Sequence, residues 1–85
     1  MDAKPECLIL EDEPKRLETL KALAFHHGFY PLAAKSAAEA IRHLKTCKEI
    51  HNWPIFAIID RDMRYAEDQS RSSDDVLLFL HNDFT

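Results

Sequence analysis

The sequence predicts an α/β fold, with a parallel sheet whose strands alternate with helices. Three observations carry this. Two short apolar runs, Leu8-Ile9-Leu10 and Ile55-Phe56-Ala57-Ile58-Ile59, each stop abruptly at acids, the profile of buried strands reaching their carboxyl ends. Helical patterns with their own start and stop residues lie between and after those runs. The 85 residues hold a single glycine, too few for a turn-rich all-β chain. Alternation of this kind favours parallel pairing through right-handed crossovers.

Each element has a local cause. Leu8-Ile9-Leu10 forms the first strand, with Cys7 as a small apolar neighbour. Glu11, Asp12 and Glu13 follow, and Pro14 is well placed to start a helix. Leu17, Leu20 and Ala24 recur at i, i+3 and i+7, with Leu23 beside them, which predicts an amphipathic helix. His26-His27-Gly28 ends it, the glycine falling where a helix terminus needs positive φ. Residues 29–34 read as a second strand, and Pro31, which has no N–H, assigns it to an edge. Ser36-Ala37-Ala38-Glu39 is a capping box. The helix it opens turns Ala37, Ala40, Ile41, Leu44 and Cys47 inward, and Asn52-Trp53-Pro54 breaks it.

The run from Ile55 to Ile59 reads as a strand covered on both faces, ending at Asp60. Residues 61–73 are charged and aperiodic, a solvated loop. Ser72 or Ser73 caps a last helix, with Asp74 and Asp75 favourable in its first turn. Val76, Leu77, Phe79 and Leu80 form its apolar face.

Composition narrows the functions. A length of 85 residues predicts one domain spanning 1–85, and 46% apolar with 31% charged residues is a globular balance. The net charge is −4 and no dense Lys/Arg cluster is present, so nucleic acid is not an expected partner. Every apolar run is far shorter than a membrane span, and Met1 to Glu6 is polar and acidic, unlike a secretory signal. Cys7 and Cys47 are isolated and form no disulfide framework, which makes a reducing cytoplasm the expected location. The five histidines lack metal-ligand spacing. Neither a G-x-G-x-x-G nor a Walker sequence is present, which speaks against a nucleotide-binding enzyme.

The acids carry the remaining information. Ligands of an open parallel sheet gather at the carboxyl ends of its strands. Glu11, Asp12 and Glu13 end the first strand; Asp60 and Asp62 follow the third. If those strands are neighbours, their carboxylates share one crevice. Two like charges about 4 Å apart repel by roughly 4 kcal/mol at an effective dielectric near 20. Either one acid keeps its proton, or a hard divalent cation such as Mg²⁺ sits among the oxygens. That cation would also offset the charge of a phosphoryl group attacked by Asp60. The plainer reading stands beside this one: acids before Pro14 stabilise a helix N-terminus, and an Asp at a strand end starts a turn.

At these residues the sequence resembles the receiver domain of two-component response regulators. Leu8-Ile9-Leu10-Glu11-Asp12-Glu13-Pro14 is similar to the family's first strand and its D-D-E-P turn. Gly28-Phe29-Tyr30, Ala34 and Ser36-Ala37-Ala38-Glu39-Ala40 are similar to its G-[FY]-x-x-x-x-A-x-[ST]-x-x-E-A segment. Ile55 to Asp60, with Met63, is similar to its strand ending in D-x-x-M-P. The resemblance covers residues 7–63 and reaches into the last helix. It implies a truncated flavodoxin-like, receiver-like three-layer sandwich with sheet order 2-1-3.

The resemblance further implies a signalling domain in a phosphorelay. Asp60 would be the phosphoacceptor. Glu11, Asp12, Asp60 and the backbone carbonyl of Asp62 would hold Mg²⁺, and Glu13 would start the helix. No enzymatic activity beyond autophosphorylation on Asp60 is implied. Partners would be a sensor histidine kinase or a target protein.

Four departures qualify this. Arg64 replaces the family's Pro, Glu11 replaces its commoner Asp, and Asp62 adds a carboxylate. The family's fourth and fifth strands, which bring a Ser/Thr and a Lys to the phosphoryl group, have no counterpart in these 85 residues. Arg61 and Arg64 read as solvated. With order 2-1-3 the strand from Ile55 to Ile59 is an edge, a template for pairing with a second copy or a partner that completes the sheet. The alternative function is therefore an unphosphorylated interaction or oligomerisation module, such as a homodimer.

Overall fold

In the computed structural model, which describes residues 4–83, strands and helices alternate as β1 (Glu6–Leu10), α1 (Pro14–His26), β2 (Tyr30–Ala34), α2 (Ala37–Glu49), β3 (Phe56–Ile59) and α3 (Ser73–Asp83). Residues 1–3, part of the polar N-terminal stretch, lie outside the described residues. The sheet is parallel throughout with order β2-β1-β3, that of the first three strands of a flavodoxin-like sheet.

The pleat of β1 divides the core into two. Cys7 and Ile9 point to one face and pack with Leu17 and Ala24 of α1. Leu8 and Leu10 point to the other and pack with Ala37, Ala40, Ile41 and Leu44 of α2 and Val76 of α3. Three layers result, with α1 on one side of the sheet and α2 and α3 on the other. Among the described residues, no helix is long and apolar enough to cross a membrane.

The helix ends follow their sequence signals. The Glu13 carboxylate accepts from the N–H groups of Lys15 and Arg16, and Pro14 occupies the position where a missing N–H costs nothing. Gly28 closes α1 with φ +90°. The Ser36 hydroxyl accepts from the Glu39 N–H at 3.2 Å. Glu39 reaches back to the N–H of Lys35 rather than to that of Ser36. His43 Nε2, 2.9 Å from the Ala33 carbonyl, fastens α2 to β2. Ser72 caps α3: its N–H donates to the Asp75 carboxylate, and its hydroxyl accepts from the Asp75 N–H.

Four expectations need correction. β2 begins at Tyr30, leaving Phe29 outside the ladder, where its ring packs edge-on against Phe56 at 4.9 Å. β3 begins at Phe56, although the Ile55 N–H still donates to the Glu6 carbonyl at 2.8 Å. β3 is not covered on both faces. α1 lies over β1 and β2, so Phe56 and Ile58 are left 39% and 38% exposed. Finally, Leu23 on α1 and Leu77 on α3 are exposed, because each helix carries an apolar stripe wider than the surface beneath it.

Candidate functional site

The ladder itself assembles the acidic site. Leu10 pairs with Ile59 in the β1–β3 register, so Glu11 and Asp60 are the next opposed pair. The Asp60 N–H donates to the Leu10 carbonyl and the Glu11 N–H to the Ala34 carbonyl, each at 3.0 Å. Both neighbours thus grip the end of β1. Leu10 and Ile59 face α2 and α3, so alternation turns Glu11 and Asp60 toward the α1 side. Asp12 follows in the turn, where its Oδ2 accepts from the Tyr65 N–H at 2.7 Å. The loop after β3 is thereby tied down at the site, even though most of it is exposed as expected.

Glu11, Asp12 and Asp60 each place a carboxylate oxygen within 4.8 Å of the other two. Glu11 and Asp12 are buried, and Asp60 is half-buried. One buried oxygen of each has no hydrogen-bond partner among the described residues: Glu11 Oε2, Asp12 Oδ1 and Asp60 Oδ2. A buried acceptor without a donor is costly, and between Glu11 and Asp60 a shared proton relieves part of that cost. Oxygen-only donors of this number suit Mg²⁺, which takes one or two carboxylates, waters and a phosphoryl oxygen. The residues therefore fit the metal that the sequence suggests.

The electrostatics respond to this crowding. Burial first, then the hydrogen-bonded Asp60 carboxylate and its charge, raise Glu11 to a pKa of about 7, while Arg16 pulls it down. Asp60 moves the opposite way. The proton shared with Glu11 and the N–H of Asp62, 3.0 Å from Asp60 Oδ1, hold it below its ordinary range. Opposite shifts of this kind are how two adjacent carboxyls relieve their repulsion, by sharing one proton. The two directions favour the proton on Glu11 and the charge on Asp60.

Three contributors do not read as site residues in the sequence, where Ser73 is only a candidate helix cap. Arg16 Nε lies 2.6 Å from Glu11 Oε1. Ser73, the first residue of α3, donates its hydroxyl to the Asp60 carbonyl and fixes the loop's far end to the site. The Tyr65 backbone N–H holds Asp12. Sequence spacing alone signals none of these, since each joins separate elements.

The other sequence candidates fall away from the centre. Glu13 is spent on the α1 cap, and the two N–H groups it accepts lower its pKa. The Asp62 carboxylate pairs with Arg64 at 2.9 Å, which lowers its pKa, and its N–H donates to Asp60. Arg61 pairs with Asp74 at 2.8 Å on the surface. Asp12 also borders an open cleft, lined besides by Lys35, Ser36, Glu39, Arg42, Tyr65 and Asp68, to which Glu11 and Asp60 do not contribute. Comparison of the chain with protein-family models, with curated proteins and with solved structures gives no significant match.

Proposed function

We propose that this chain is a receiver-like signalling domain that binds Mg²⁺ and accepts a phosphoryl group on Asp60. One observation carries the reading: Glu11, Asp12 and Asp60 converge from two strand ends, and each brings a buried oxygen that no N–H donor of the described residues reaches. Mg²⁺, held by these three and by the Asp62 backbone carbonyl, would neutralise charge as the phosphoryl group arrives.

The residues divide the remaining work. An ionised Asp60 oxygen attacks phosphorus of a phosphohistidine or of a small acyl phosphate. The bond from phosphorus to the donor atom breaks, and the donor leaves with that electron pair. An acyl phosphate remains on Asp60. The Asp62 N–H and the Ser73 hydroxyl hold Asp60 at the end of β3, and Tyr65 holds Asp12 opposite.

Incubation with Mg²⁺ and acetyl phosphate, followed by intact-mass measurement, tests this. Added phosphoryl mass that disappears in Asp60→Asn supports it, and no added mass overturns it. In a melt, Mg²⁺ at 100 times its Kd stabilises the protein by about 2.7 kcal/mol, and Asp12→Asn abolishes the effect.

A different observation favours a second reading, an interaction module that pairs with its own copy. β3 is a sheet edge with exposed Phe56 and Ile58, and it carries neither charge nor proline. The opposite edge, β2, is interrupted by Pro31. Two copies of β3 related by a two-fold axis would run antiparallel without any charge repulsion, and the closed pair leaves no free β3 edge.

A further inference from the structure

Among the described residues, one cation is ion-paired with a carboxylate of the three-acid site, through Glu11. That cation is Arg16, on the first turn of α1. Its side chain is 63% exposed, whereas that of its partner Glu11 is 5% exposed. The pair therefore joins a buried acid to a solvent-exposed arm. Nε is engaged with Glu11 at 2.6 Å and lies 4.0 Å from Glu13, and among the described residues no hydrogen bond is found for the two Nη groups. The reach of this charge extends past Glu11: it also acts on Asp60 and Asp62. The two other arginines near the site are committed elsewhere, Arg61 to Asp74 and Arg64 to Asp62.

Charge accounting shows what the arm is for. With three ionised carboxylates, one Mg²⁺ and Arg16, the site is neutral. A phosphoryl group on Asp60 replaces one negative charge with about two. The same Mg²⁺ also weakens the attraction of Glu11 for Arg16, since Glu11 then shares its charge with a dication and the dication repels the guanidinium. The guanidinium is released toward the new anion, which its forked donors match in shape.

We propose that Arg16 is the phosphoryl-recognising arm of this site, leaving Glu11 when Mg²⁺ binds and donating through Nη to the phosphoryl oxygens on Asp60. This rests on the phosphoryl reading above and assigns it a counter-charge from α1.

The test uses beryllium fluoride, which mimics an aspartyl phosphate, at saturating Mg²⁺, with binding followed by fluorine NMR. Wild type, Arg16→Gln and Arg16→Lys are compared. Removing a charge-assisted hydrogen bond from the complex lowers beryllium fluoride affinity by about tenfold or more in Arg16→Gln, and Arg16→Lys, which keeps the charge without the fork, falls between. Mg²⁺ affinity, measured separately by thermal shift, rises in Arg16→Gln because a competing cation has been removed. A merely structural role for Arg16 would weaken both ligands together. Equal beryllium fluoride affinity in wild type and Arg16→Gln overturns the arm and leaves the phosphoryl site standing. A wild type that binds Mg²⁺ but not beryllium fluoride overturns both.

Discussion

Ile9 and Ile58 are the same residue, opposed in the same ladder, on the same face of the sheet. Ile9 is completely buried, and Ile58 is 38% exposed. Nothing local distinguishes them, since each lies in a short apolar run that ends at an acid. The difference comes from strand order. β1 has a neighbour on each side and α1 above it, while β3 has one neighbour and no helix over its Ile58 face. A continuous apolar run therefore reports that a strand belongs to a parallel sheet, and not where in the sheet it lies.

The largest expected effect would break that comparison if it failed. Ile9→Ala should destabilise the protein by about 3–4 kcal/mol, combining the missing transfer energy with a cavity that the packed centre cannot close. Ile58→Ala should cost about 1 kcal/mol or less, because water already reaches the side chain. Urea unfolding of the two variants checks this, and equal losses would mean that the Ile58 face is covered by something.

The same contrast explains what is legible in the sequence. The elements are, because each has a local signal that agrees with its surroundings: Pro14 and Gly28 bracket α1, Ser36 opens α2, and Pro54 precedes β3. All five inward positions expected for α2 are buried. Leu23 and Leu77 depart from expectation, since helical periodicity marks a stripe but not the width of the surface that will cover it. Glu11, Asp12 and Asp60 can be found because strand ends are readable and a parallel sheet brings its ends together. Arg16, Ser73 and the Tyr65 amide cannot, because their roles depend on how far a helix or loop leans over those ends.

The acids at the two strand ends differ as the isoleucines do, and pH sharpens that difference. Buried Glu11 has its pKa raised from 4.5 to about 7, while half-buried Asp60 has its pKa lowered. Between those two Glu11 values the folded state binds more protons than the unfolded state, so stability falls as pH rises through that window. The loss is on the order of 2 kcal/mol for a shift shared across a coupled pair. Below the window, the lowered Asp60 pKa acts oppositely, and stability falls again as pH drops through it. Melts in the presence of a chelator should show the decline above pH 4.5 in wild type and a flatter profile in Glu11→Gln. A wild-type curve that rises steadily to pH 7 would contradict the proton held between Glu11 and Asp60.

The smallest effect on folding is expected where the consequence for assembly is greatest. Ile58→Lys places a charge on a side chain already open to solvent, so the folded monomer should change by about 0.5 kcal/mol or less. In a two-fold pair through β3, however, two such lysines would be brought close together in place of apolar packing, which is how natural edge strands prevent pairing. Sedimentation at micromolar concentration should show a wild-type dimer and a monomeric Ile58→Lys. A wild type already monomeric at that concentration sinks the self-pairing of β3, and β3 is then an edge whose exposure has no role in association with its own copy. Nothing in that outcome touches the acids, which lie at the carboxyl end of the ladder, beyond Leu10 and Ile59. The edge and the site can fail independently, so mass measurement with Asp60→Asn and sedimentation with Ile58→Lys together decide whether the chain is a switch, an assembly module, or both.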